Sequence, residues 1–202
     1  MFVLAAGGAA SASGAQFESN EYPATIFAVE PLLEPHAQLT FWGTNISCHP
    51  ENTSTESETF TEPSSSVPME YAGQAECNSY KWGKIHIVSS PHCEMKFSLP
   101  AGLGFACKPG FSGAPLSLTF EGVYKEEYGC HTDLYPEESS ASYSQGEDVV
   151  YAQGTIPFHF VSEGNLFCPW GEGEGEYTLK LMLGSWLGEW PDGEFGVFSM
   201  SS

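Results

Sequence analysis

The stretch EYTLKLML, residues 176–183, sets Tyr177, Leu179, Leu181 and Leu183 on one side of an extended chain and Glu176, Thr178, Lys180 and Met182 on the other. In a strand, alternate side chains share a face; in a helix a spacing of two would scatter the same residues around the axis. The period recurs along the chain. WGKIHIV (82–88) opposes Ile85 and Ile87 to Lys84 and His86, and CEMKFSL (93–99) puts Met95 and Phe97 on the face of Cys93. LSLTFEG (116–122) turns Leu116, Leu118 and Phe120 inward. TIPFHFV (155–161) points Ile156, Phe158 and Phe160 one way, and its Pro157 predicts an edge strand or a strand start. HAQLTFW (36–42) and TNISC (44–48) flank Gly43 and read as a hairpin or a bulged strand. So many segments of period two predict an all-β fold, an antiparallel β-sandwich or barrel-like sheet.

Between the strands, PENTSTESETFTEPSSSVP (50–68) and YPEESSASYSQGED (135–148) are rich in Ser, Glu and Pro and read as long mobile loops. The early ATIFAVEP…TNISC and the late GTIPFHFVSEGNLFC echo one another, each running from an apolar strand to one that ends in cysteine. The reading is therefore two similar β sublobes, 16–99 and 100–202, dividing near Pro100-Ala101-Gly102, or one continuous domain over the same span.

Composition narrows the setting. The 202 residues hold 26 Asp and Glu against six Lys and no Arg, a formal net charge of −20. Without arginine the chain lacks a bidentate grip on phosphate, and its charge repels nucleic acid and anionic lipid. Residues 1–15, in MFVLAAGGAASASGAQ, resemble the back half of a secretory signal, with small Ser13 and Ala15 suiting cleavage before Gln16. No other stretch approaches the roughly 18–20 apolar residues that span a bilayer. Cys48, Cys77, Cys93, Cys107, Cys130 and Cys168 make an even set with no Cys-x-x-Cys knuckle, which suits disulfides in an exported protein. Loop length favours Cys77–Cys93 and Cys107–Cys130, leaving Cys48 for Cys168, although sequence leaves many pairings open.

AQFESNEYPATI (15–26), HAQLTFWGTNISC (36–48), YAGQAEC (71–77), IHIVSSPHCEMKF (85–97), ACKPG (106–110) and IPFHFVSEGNLFCPWGEGEGEYTLKLMLGSW (156–186) follow in an order that resembles a group of secreted actinobacterial β proteins of unknown function. The resemblance covers roughly residues 15–186 and implies export and an all-β fold. It brings no activity, ligand or catalytic residue. Lys108 in CKPG and the acidity of GEGEGE depart from the group's pattern.

The sequence offers several candidate chemistries. PGFSGAPLSL (109–118) has the cadence of a serine-protease nucleophile loop, with His92-Cys93 upstream. Yet His92 precedes Ser112 by only twenty residues, Phe111 stands where that family places an aspartate, and a base at His36 or His49 with Asp133 would reverse the family's order. The stretch reads as a Gly-Pro turn into a strand. His36, His49, His86, His92, His131 and His159 are scattered, without His-x-His or His-x-x-x-His, and the three Asp form no calcium loop. GEGEGEY (171–177) would align Glu172, Glu174 and Glu176 if extended; mutual repulsion favours a splayed hairpin loop instead. Trp170, Tyr177, Trp186 and Trp190 form a late aromatic cluster that either fills the core or stacks on a ligand.

These readings converge on a secreted, disulfide-bonded, non-catalytic module that contacts a polysaccharide or another extracellular protein, with no cofactor, no metal and no nucleic acid. Trp170, Tyr177, Trp186 and Trp190 are its candidate contact residues. The alternatives are a glutamate-dependent hydrolase of extracellular polysaccharide, and a structural exoprotein without a specific ligand.

Overall fold

A computed structural model describes residues 14–29, 37–51, 55–69, 74–121, 130–163, 171–188 and 193–201. Among these residues every regular element is a strand. In chain order they are β1 Gln16–Ser19, β2 Ala24–Val29, β3 Gln38–Phe41, β4 Thr44–Glu51, β5 Thr55–Phe60 and β6 Ser66–Met69. Next come β7 Gln74–Ser79, β8 Gly83–Ser89, β9 Cys93–Ser98, β10 Gly102–Cys107, β11 Leu116–Phe120 and β12 His131–Pro136. The last are β13 Ser139–Gln145, β14 Val150–Glu163, β15 Gly171–Leu187, β16 Glu194–Gly196 and β17 Phe198–Ser201. No helix among the described residues is long and apolar enough to cross a membrane.

The two longest strands organise the rest. β14 and β15 pair antiparallel from Val150↔Leu183 to Ser162↔Gly171. Near one end, β3 takes the free edge of β15 at Glu176–Thr178 and β12 takes that of β14 at Phe158–Glu163. The circuit β15–β3–β4–β7–β8–β11–β12–β14 then returns to β15, an eight-stranded closed antiparallel barrel. Near the other end, β2 takes β15 at Met182–Leu187 and β13 takes β14 at Val150–Gly154. That gives a second, outer arc, β5–β2–β15–β14–β13–β10–β9–β6. The ribbon β1–β17 is tied to this arc: Phe17 exchanges backbone hydrogen bonds with Ser64, between β5 and β6, and the Phe198 amide donates to the Asp148 carbonyl, between β13 and β14. Phe17 stacks on Phe198 and meets Tyr143 edge-on.

The chain visits barrel and arc in alternation, and β9 and β10, on either side of residues 99–100, are hydrogen-bonded neighbours. The alternation read from sequence holds in β8, β9, β11, β14 and β15, whose apolar faces join one contiguous core. Between β3 and β4 the hairpin turns on Trp42 and Gly43, both at positive φ, as a two-residue turn twisted with its strands requires.

Four expectations are corrected. Residues 50–68 and 135–148 contribute the strands β5, β6 and β13, because β2, β9 and β14 offer backbone partners that polar side chains do not refuse. GEGEGEY is the start of β15 and no loop. Its Gly173 and Gly175 lie under the rings of Phe160 and Phe158, and its glutamates face outward. Pro157 lies inside β14, not at an edge. Its carbonyl accepts from the Glu137 amide where β12 gives way to β13, so the missing N–H faces a gap in the ladder. The bridges are Cys48–Cys77 and Cys93–Cys107, each joining residues directly opposite across a strand pair. Register, not loop length, selects them, and it excludes Cys77–Cys93, Cys107–Cys130 and Cys48–Cys168. Cys130 is also disulfide-bonded, while Cys168 lies outside the described residues.

A Cβ on Gly175 would sit 2.5 Å from both the Phe158 ring and the Thr40 carbonyl. Gly175→Ala is expected to destabilise the barrel by about 1–3 kcal/mol, read as a lower urea midpoint with an unchanged slope.

Candidate functional site

Three surface regions of the described residues carry chemistry. The first is the outer wall of the barrel. Lys84 bonds Glu76 through both carboxylate oxygens at 2.8 and 2.9 Å; Glu76 faces His86 across the β7–β8 pair, and His86 Nε2 lies 3.2 Å from Glu121 Oε1. The hydrogen bond from Lys84 is the main reason that the Glu76 carboxyl titrates below its ordinary 4.5. His131 pairs with Asp133 at 2.8 Å, while His159 stands exposed, opposite Glu174 in register and beside the Tyr135 ring. Glu172, Glu174 and Glu176 do share one outward face. No group of three or more His, Cys, Asp or Glu among the described residues is arranged to hold a metal. His36 lies outside the described residues, as does the side chain of His49.

The second is a groove of about 210 Å³ over β10, with Lys96 and Ser98 on one side and Glu138 and Ser139 on the other. Gly104 forms its floor, and Glu138 folds over that glycine. Glu138 is the one carboxylate of its lining, where hydrolysis of a glycoside would call on two. Beneath it Tyr143 ties the β9–β10 turn: its hydroxyl donates to the Gly102 carbonyl and accepts from the Ser98 amide. Burial pushes this phenol up to about 12.

The third is aromatic. On the outer face of β2, β15 and β16, Trp186 stands opposite Phe195, with ring centroids 4.8 Å apart and edge to face, and Phe27 meets Phe195 at 5.7 Å. The Phe27 ring lies on Gly184, where any Cβ would fall 2.3 Å from it, and Gly193 is pressed as closely on Trp186. These contacts fix the rings from below, and Phe195 remains 75% exposed. Val197 and Tyr22 are also exposed. Asn20 ties their two segments by a hydrogen bond to each backbone group of Val197.

Of the aromatics singled out in the sequence, Tyr177 is buried in the core and Trp186 is half-buried in this patch; Trp170 and Trp190 lie outside the described residues. Ser112 is exposed, and the His92 ring rests against Phe111; no histidine hydrogen-bonds Ser112 among the described residues. Sequence reasoning missed Phe27, Phe195, Val197 and Tyr22. In ATIFAV every residue but Thr25 is apolar, so alternation cannot say that Phe27 faces out. The available signal was the small residue, Gly184, on the partner strand.

Comparison with protein-family profiles, curated protein sequences and solved structures returned no match for this chain.

Because the Glu76 carboxyl is depressed in the fold, its stabilising effect is present above 4.5 and is lost as pH falls through the folded value. Lys84→Gln is expected to move the Glu76 midpoint up toward 4.5 in an NMR titration and to flatten the acid side of the stability profile. An unmoved midpoint counts against the pairing.

Proposed function

We propose that the protein is a secreted, non-catalytic binding module that engages an extracellular polysaccharide or protein through the aromatic patch of Phe27, Trp186 and Phe195. The single observation carrying this reading is a preformed ring cluster whose outermost member stays 75% exposed. Exposed rings gathered into one patch and fixed by rigid neighbours, unlike single exposed side chains, are a usual mark of a contact surface. Two further features support export. The cysteines of both described bridges are oxidised, compatible with an extracellular location, and the N-terminal sequence resembles a secretory signal.

The test is affinity electrophoresis through gels carrying soluble polysaccharides, alongside biosensor surfaces carrying extracellular proteins. Wild type is expected to be retained by at least one ligand, and the double variant Phe195→Ala, Val197→Ser to lose that retention while keeping its urea midpoint. Equal retention of both forms on every ligand would mean that the patch is not the contact surface.

A further inference from the structure

Asn45-Ile46-Ser47, inside the stretch TNISC, is an Asn-x-Ser triplet without proline at its middle position. In an exported chain such a triplet is the acceptor signal for N-linked glycosylation, provided that its asparagine stands at the surface. The fold therefore decides what the triplet means, and the inference rests on the export proposed above.

Alternation in β4 turns Ile46 and Cys48 into the core and leaves Asn45 and Ser47 both exposed on the outer wall. The triplet follows the Trp42-Gly43 turn directly after Thr44, and both turn residues are exposed as well. Pairing of β7 with β4 begins only at Ser47↔Asn78, so Asn45 has a paired strand on one side, β3, among the described residues. There Thr40 stands opposite, and its hydroxyl donates to Asn45 Oδ1 at 2.9 Å. The amide oxygen is thus engaged, while Nδ2, the atom that carries the sugar in an N-glycan, has no hydrogen bond among the described residues. A substituent on Nδ2 leaves the bond from Thr40 in place.

The order of the chain also keeps the triplet open to modification during export. Cys48 fixes β4 against β7 once it is bridged, but its partner Cys77 follows 29 residues later. A chain that emerges from its N-terminus presents Asn45 before that bridge and the β7 ladder exist.

We propose that Asn45 is an N-glycosylation site, to which an oligosaccharide is transferred from a lipid-linked pyrophosphate donor. In the transfer Nδ2 bonds to the anomeric carbon of the first sugar and gives up one proton. The bond from that carbon to the pyrophosphate oxygen breaks, and the lipid pyrophosphate leaves. The glycan stands clear of the aromatic patch. Thr40 pairs with Glu176, ten residues along β15 from Trp186, which is roughly 33 Å of strand at about 3.3 Å per residue.

The test expresses the full chain in a eukaryotic secretory host in two forms, one with its own N-terminus and one behind a host leader. Protein from the medium is digested with peptide-N-glycosidase in oxygen-18 water, which tags each released asparagine, and its peptides are mapped by mass. A tag is expected at Asn45 and at neither Asn20 nor Asn78, which have no Ser or Thr two residues on. A second triplet, Asn52-Thr53-Ser54, lies outside the described residues and is mapped separately. Ser47→Ala is expected to lose the tag at Asn45 without changing that at Asn52, and Ser47→Thr to keep both. Secretion of either form with Asn45 untagged, or a tag at Asn45 that persists in Ser47→Ala, overturns the inference and leaves export standing. Retention of the form with its own N-terminus inside the cell, without sugar, overturns the export reading and takes the inference with it.

Discussion

The antiparallel ladder between β14 and β15 is the constraint on which the other elements depend. It runs unbroken from Val150↔Leu183 to Ser162↔Gly171, longer than any other pairing among the described residues. Each strand offers one remaining edge, and each edge is divided between two partners: β12 and β13 on β14, β3 and β2 on β15. Because the handovers fall at similar heights, one end of the ladder is enclosed by the barrel and the other by the arc. A strand pair of this length twists strongly, and two differently curved sheets sharing it relieve the need for one sheet to follow the full twist. Pro157 sits at the handover on β14, where a missing donor is tolerated.

The ladder also explains the distribution of glycine. Gly173 and Gly175 leave room for the Phe160 and Phe158 rings inside the barrel, and Gly184 makes room for Phe27 outside the arc. These are places where an aromatic ring of one strand lies flat over the backbone of its neighbour. They convert the Gly-Glu repeat from a sequence that reads as loop into a strand with a ring-packed inner face and a charged outer one. Repulsion among Glu172, Glu174 and Glu176 is moderated because the three side chains stand in solvent and at alternate positions.

The fold class was legible wherever the two faces of a strand differ. Ile85 and Ile87 against Lys84 and His86, or Leu116, Leu118 and Phe120 against Ser117 and Thr119, leave no other periodicity open. Where the faces do not differ, the reading fails for a physical reason. β5 and β13 are held by backbone bonds to a neighbour, and their Ser, Thr and Glu side chains carry no record of it. The disulfide pairing was equally hidden, since Cys48 and Cys77 meet only through the register of β4 on β7. Of the candidate site, Trp186 was visible as an aromatic, but its partners Phe27 and Phe195 come from distant segments that only the β15 edges bring together.

Closure has a last consequence for how such a molecule can meet others. The barrel returns on itself and so exposes no row of unpaired backbone groups, whereas the arc ends on β5 and β6. Strand addition to the barrel is thus poorly served, and contact there is made through side chains on the outer wall. Most of that wall is polar: Ser, Thr, Glu and His alternate outward along β8, β11, β12 and β14. Among the described residues, Phe27, Trp186 and Phe195 gather on that wall at the end formed by β2, β15 and β16. A charged wall with a single apolar region concentrates recognition at that region, because the rest of the surface selects partners by sign while only the rings reward close fit.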